Sequence, residues 1–211
     1  QGKYEKAIRA YDQAIKSSNG QLDIRIGRCK LLIQIGRSEL AIPELQALLE
    51  ENSHDERLYA VLSEAYESSG DLENAIEAAT QATLLSPRNA DYRYQVGRLC
   101  RLAGQLDRSL DELLQAQSTT PTMAKISREL GQVYEQRREI AQALDAYRRA
   151  LELDPQDELS HFRAGLILKQ QKAYPQAARL LERAIELNPK DSEIIQQLAA
   201  VRALELVHGG L

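Results

Sequence analysis

Tryptophan is absent from this chain of 211 residues, phenylalanine and methionine each occur once, and only 5% of the residues are aromatic. Runs of Val, Ile, Thr and aromatics, the usual material of strands, are missing. Glycine (11) and proline (6) are sparse, while Ala, Leu, Glu, Arg and Gln dominate and favour helix in almost every window. No stretch reaches the roughly 18 to 20 uninterrupted apolar residues of a membrane span, so direct membrane insertion is not expected. The formal charge of -4 gives no electrostatic reason for a polyanion as partner, and nucleic acid is not expected. Cys29 and Cys100 lie 71 residues apart, without a CxxC pair or a His close by. They read as buried thiols of a reducing, cytoplasmic compartment, with no metal and no cofactor expected.

What is present is periodic. Pro87, Pro121, Pro155 and Pro189 are spaced 34 residues apart, and so are Ala75, Ser109, Ala143 and Ala177, and Ala82, Ala116, Ala150 and Ala184. Gly36, Gly70 and Gly104 repeat with the same period. Within residues 124–157, Ile126, Leu130, Val133 and Tyr134 follow helical spacing, as do Ala143, Leu144, Tyr147, Ala150 and Leu151. Each unit therefore predicts two amphipathic helices of about 14 residues, roughly 20 Å long. The glycine supplies the left-handed residue that ends the first helix. The proline, lacking an amide hydrogen and clashing with the preceding turn, stops the second.

These residues resemble the tetratricopeptide repeat (TPR) family. Its 34-residue pattern places a large residue at position 4, Leu and Gly at 7 and 8, Tyr at 11, Ala at 20, a large residue at 24, Ala at 27 and Pro at 32. Residues 124–157 supply Leu130, Gly131, Tyr134, Ala143, Tyr147, Ala150 and Pro155. Residues 56–89 supply Tyr59, Leu62, Tyr66, Ala75, Ala82 and Pro87, with Ser63 for the glycine; residues 90–123 supply Val96, Gly97, Ser109, Leu113, Ala116 and Pro121. Residues 158–191 supply His161, Gly165, Leu168, Ala177, Leu181, Ala184 and Pro189. Residues 22–55 are degenerate, with Arg28 and Cys29 at positions 7 and 8, Ser53 for the proline, and Pro43 inside the second helix, where it should cost a hydrogen bond or bend the helix. In residues 1–21, Tyr4, Ala7, Tyr11 and Ala14 match only the second helix of a truncated repeat, so the chain is expected to begin inside an array. Residues 192–211 start another repeat with Ile195, Leu198 and Ala199, then run into His208, Gly209 and Gly210. They read as a closing helix, with further chain or another subunit packed on Val201, Leu204, Leu206 and Val207 as the alternative.

The fold class that the resemblance implies is all-α, a right-handed alpha-alpha superhelix of about five and a half helix pairs plus the closing helix. The resemblance also implies a concave groove lined by positions 2, 5, 9, 12 and 13 of the first helices. There Tyr94, Arg98 and Arg101 precede Lys125, Arg128 and Gln132 on the next such helix, a cluster suited to an acidic or C-terminal carboxylate of a peptide. The competing reading pairs these cations with Asp91, Glu129 or Glu135 as a solvated face. Phe162, with Leu159 and Leu166, either receives apolar ligand side chains or packs against the closing helix. Neither of two subtypes fits. The best frame for the chaperone-binding carboxylate clamp, Ala60, Glu64, Gln95, Lys125 and Glu129, keeps one residue of five, and Gly27, Val61, Gln95, Glu129 and Arg163 are not the asparagine ladder of sugar transferases.

Catalytic signals are missing: His54, His161 and His208 are scattered, and no phosphate loop, HExxH helix or nucleophile elbow occurs. The function expected is a non-catalytic scaffold that binds a peptide segment of a partner protein. The alternative is a regulatory or dimerisation module of a larger enzyme or assembly machine, self-associating through its terminal helices.

Overall fold

In the computed structural model, which describes residues 2–17 and 21–208 (backbone only for His208), the chain turns left-handed at five positions spaced 34 apart. They are Gly36 (φ 74°), Gly70 (83°), Gly104 (76°), Arg138 (62°) and Lys172 (61°). Each turn closes in one way. The amide of the left-handed residue bonds back three residues, and the next amide bonds back five, as in Gly70 N to Glu67 O (2.9 Å) with Asp71 N to Tyr66 O (2.9 Å). Arg138 N to Glu135 O (2.9 Å) with Glu139 N to Tyr134 O (2.8 Å) repeats it without a glycine. The hydrogen bonds satisfy carbonyls that the ending helix would otherwise leave open.

Among the described residues there are twelve helices and no strand: α1 (Gly2–Ser17), α2 (Leu22–Gln34), α3 (Ser38–Glu51), α4 (Glu56–Ser68), α5 (Leu72–Leu85), α6 (Ala90–Leu102), α7 (Leu106–Thr119), α8 (Ala124–Gln136), α9 (Ile140–Leu153), α10 (Glu158–Gln170), α11 (Tyr174–Leu187) and α12 (Ser192–His208). The chain is an all-α helical-repeat solenoid. α5, α7, α9 and α11 each end two residues before a proline, at Pro87, Pro121, Pro155 and Pro189. α3 runs on through Pro43, whose ring is exposed, and keeps the 14-residue length of α5, α7, α9 and α11. Gly209 and Gly210, expected to follow the closing helix, lie outside the described residues.

The chain forms two compact units, residues 1–119 and 120–211. In the first, α2, α4 and α6 each pack on the helix that follows, and α3 and α5 pack on the next pair. Cys29, Leu32, Leu45, Leu58, Ala65, Ala79 and Leu99 are buried between them. Where α4 meets α5, Ser63 Oγ donates to Ala75 O (2.8 Å); where α6 meets α7, Ser109 Oγ donates to Gly97 O (2.6 Å). One close crossing, between repeat positions 8 and 20, is thus bonded from opposite helices in successive repeats.

Arg25 and Arg28 stand where the repeat pattern has apolar residues, and both are used. Arg28 donates to Asp12 of α1 (2.8 Å) and to Glu44 of α3 (2.5 Å), and Arg25 reaches Glu44 (3.4 Å). The degenerate repeat exchanges part of its apolar contact for an ionic network, while Ile8, Ile26 and Leu48 keep the apolar remainder.

In the second unit Tyr147, Ile167, Leu181, Ile194 and Val201 are the buried centre. α8 packs on α9, α10 on α9 and α11, and α12 lies against α11 with Ile194 and Val201 turned inward. Fully burying one such side chain contributes about 1.5–3 kcal/mol. The far end of α12 is different: Leu206 is 82% and Val207 68% exposed.

Candidate functional site

The core takes repeat positions 7, 8, 11, 20, 24 and 27; of the positions expected to line a groove, 2, 9, 12 and 13 of the first helices stay exposed or half-buried, while position 5 is buried at Ile26, Ala60 and Phe162. In each unit polar contacts join one first helix to the next. Between α2 and α4, Arg57 donates to Asp23 (2.8 Å) and also holds Asp55 (2.7 Å). Between α4 and α6, Arg98 makes two parallel bonds to Glu67, at 2.6 and 2.5 Å, a guanidinium-carboxylate fork. In the second unit Arg163 of α10 lies 3.9 Å from Glu135 of α8, and Lys169 of α10 donates to Gln197 of α12 (2.8 Å).

The Asp55 carboxyl is held below the usual carboxylate range, chiefly by its hydrogen bonds from the Arg57 side chain. Glu64, also on this face, goes the other way. Its carboxyl is raised because the surrounding helices strip water from it; Lys30 opposes the shift, Glu67 adds to it, and Arg98 opposes it.

Of the residues that the sequence nominates, Tyr94, Arg98 and Arg101 lie on α6 in the first unit, all partly buried. Lys125, Arg128 and Gln132 lie on α8, and Phe162 on α10, in the second. Arg98 holds Glu67, a pairing that the expected partners Asp91, Glu129 and Glu135 did not include. The signal for it was opposite charge at position 12 of α4 and position 9 of α6. Arg128 lies 3.3 Å from Asp157, the carboxylate that caps α10 and accepts from Ser160 Oγ at 2.9 Å. Gln132 donates to Glu129 (3.4 Å). Phe162 is 8% exposed and belongs to the buried core cluster of the second unit, against which Leu166 also packs.

His161 is buried, its Nε2 3.1 Å from the carbonyl oxygen of Pro155. Cys29 and Cys100 are buried free thiols. Burial pushes the Cys29 thiol up to about 12, with Glu44 adding to the effect, and raises Cys100 as well. Among the described residues no group of His, Cys, Asp and Glu is placed to hold a metal, and no helix is long and apolar enough to cross a membrane.

Two sequence models of the tetratricopeptide repeat match, one over residues 1–65 and the other over 61–124 and 128–192. The chain belongs to the tetratricopeptide repeat family. No curated protein matches this tetratricopeptide repeat chain in sequence. Solved structures share its fold at low identity. PilF of Pseudomonas aeruginosa is 18% identical with a TM-score of 0.75, over 96% of this chain and 95% of that one. MamA of Desulfovibrio magneticus RS-1 is 19% identical with a TM-score of 0.70, over 81% and 96%. YrrB, described as a TPR protein with an unusual peptide-binding site, is 19% identical with a TM-score of 0.66, over 89% and 96%.

Proposed function

We propose that this chain is a non-catalytic protein-protein interaction scaffold that binds a peptide segment of a partner on the outward positions of its first helices. The observation that carries this reading is the side-chain order on that face. Arg57 with Asp23, and Arg98 with Glu67, hold polar groups in fixed directions across neighbouring helices, at positions the core does not use. A surface ordered before binding loses less side-chain freedom when a ligand arrives. The peptide-binding description of YrrB is consistent with the same use of the fold. The finer expectation, an acidic segment, leans on two cations, Arg101, which shares α6 with Tyr94, and Lys125 on α8.

The test is capture of a displayed acidic peptide pool by the wild type and by the double variant Arg101→Glu with Lys125→Glu. Arg98 is left in place because reversing its charge would set two carboxylates against each other at Glu67. Loss of capture at unchanged melting temperature supports the acidic-segment reading, and equal capture removes it. No capture by either protein, from acidic and unbiased pools alike, removes the scaffold reading.

One observation favours the alternative of a regulatory or self-associating module: the exposed apolar end of α12 at Leu206 and Val207. Measuring mass in solution over a range of salt separates the two. A dimer that persists at high salt, and is lost in Leu206→Glu, favours self-association.

A further inference from the structure

Position 9 of the three first helices of the first unit carries Lys30 on α2, Glu64 on α4 and Arg98 on α6, charges of alternating sign. The ion pairing does not follow that alternation. Arg98 gives its fork to Glu67, one turn along α4, so the nearest guanidinium to Glu64 is already engaged in two bonds. Among the described residues the Glu64 side chain makes no hydrogen bond or ion pair; Lys30 influences its charge but does not bond to it. The side chain is exposed, so a ligand can reach it.

We infer that Glu64 receives a basic side chain, arginine or lysine, from the peptide segment bound to α2, α4 and α6. This rests on the scaffold reading above and adds a chemical requirement to it: the segment carries at least one cation, whatever acidic groups it also has. Charge complementarity decides the occupant. An incoming guanidinium or ammonium makes charge-assisted hydrogen bonds to a carboxylate that now has none, and it offsets the repulsion between Glu64 and Glu67. An acidic side chain at the same place would meet two carboxylates. An apolar one would strip more water from Glu64 and return no hydrogen bond. The Glu64 carboxylate is exposed, yet the helices around it take away part of its water and it is unbonded, a cost that a bound cation offsets.

The experiment uses the whole chain, isotopically labelled, titrated at millimolar concentration with arginine blocked at both ends as N-acetyl-arginine methylamide. Blocked glutamate is the control. Blocked arginine is expected to move amide and side-chain resonances around Lys30, Glu64 and Glu67 in a saturable way, and blocked glutamate is not. Glu64→Gln is expected to weaken the arginine response by about tenfold or more without lowering the melting temperature, which distinguishes a lost site from a lost fold. Absence of a localised response to blocked arginine, an equal response in Glu64→Gln, or blocked glutamate acting on the same residues overturns the assignment. A displayed peptide library separates this from the parent reading. Capture by the wild type and by Glu64→Gln alike, without enrichment of basic residues, sinks the role of Glu64 and leaves the scaffold standing.

Discussion

The backbone of Gly131 lies so close to the ring of Tyr147 that a methyl group on its Cα would fall 2.5 Å from Cε1. The same contact recurs between Gly97 and Leu113 (2.6 Å) and between Gly165 and Leu181 (2.9 Å). Tyr147 is fully buried, and its hydroxyl donates to the Glu135 carboxylate, so the ring is held at both ends. Gly131→Ala is expected to destabilise the protein by about 1–3 kcal/mol, read as a lower urea midpoint. Gly27→Ala, with its nearest atom of Tyr11 at 3.0 Å on the half-buried α1 face, is expected to cost less. Equal midpoints for Gly131→Ala and the wild type would show that α8 and α9 can separate freely.

Arg138 and Lys172 hold the left-handed position that glycine holds at residues 36, 70 and 104. Both side chains are exposed, so their replacement removes strain without opening the core. Arg138→Gly and Lys172→Gly are each expected to stabilise by about 0.5–1 kcal/mol, the relief of a left-handed L-residue less the freedom glycine adds to the unfolded chain. The double variant should show the two gains adding in a denaturant titration, since the sites are independent.

Glu64 makes stability depend on pH in a direction opposite to most acids. Its folded-state carboxyl lies above the ordinary value, so between the two values the folded chain binds the extra proton. Its contribution is therefore unfavourable at neutral pH and fades as pH falls through the raised folded value. Glu64→Gln is expected to be slightly more stable than the wild type near pH 7, and the difference should close toward pH 4. A variant less stable at every pH would contradict the desolvation of that carboxyl.

Both thiols are buried and raised, Cys29 to about 12, so the native protein presents almost no thiolate at neutral pH. Reaction with a water-soluble disulfide reagent should be slow without denaturant and should accelerate with urea as the protein opens. Rapid labelling of either residue in native buffer would place it outside the core.

Arg28 joins Asp12 and Glu44 in a partly buried network. Arg28→Ala removes a shared cation from two carboxylates and is expected to destabilise, by less than the roughly 3–5 kcal/mol of breaking a fully buried pair. Arg28→Leu restores the apolar residue of the repeat pattern and should lose less than the Ala variant, because well-packed apolar groups can replace ionic clusters. If the two variants lose the same stability, the network and not the volume at that site holds α1.

The repeat itself was legible. The prolines, the alanines and the glycines of period 34 set the register of the repeats from residue 56 onward, because each of those residue types answers a backbone or packing demand that recurs. The turns at Arg138 and Lys172 were not, since the left-handed state there is imposed by the helix-ending hydrogen bonds and not by the residue. Arg28 read as decay of the pattern, yet rotamers of residues on three helices bring it into one network with Asp12, Glu44 and Arg25. The bond between Arg98 and Glu67 depends on the spacing of first helices in space, which a pattern of positions only suggests. Phe162 shows the same limit: its position faces outward in the family, while its ring lies in the core with Leu166.

Within each unit a helix packs mainly on its immediate neighbours in the chain. Nearly every stabilising contact therefore closes over a short stretch of sequence, which makes folding fast to begin and possible to begin in more than one place. It also loosens the coupling between distant repeats. Heating should melt such a protein in overlapping steps, with different probes along the chain reporting different midpoints, and a calorimetric enthalpy larger than the one inferred from the steepness of any single transition.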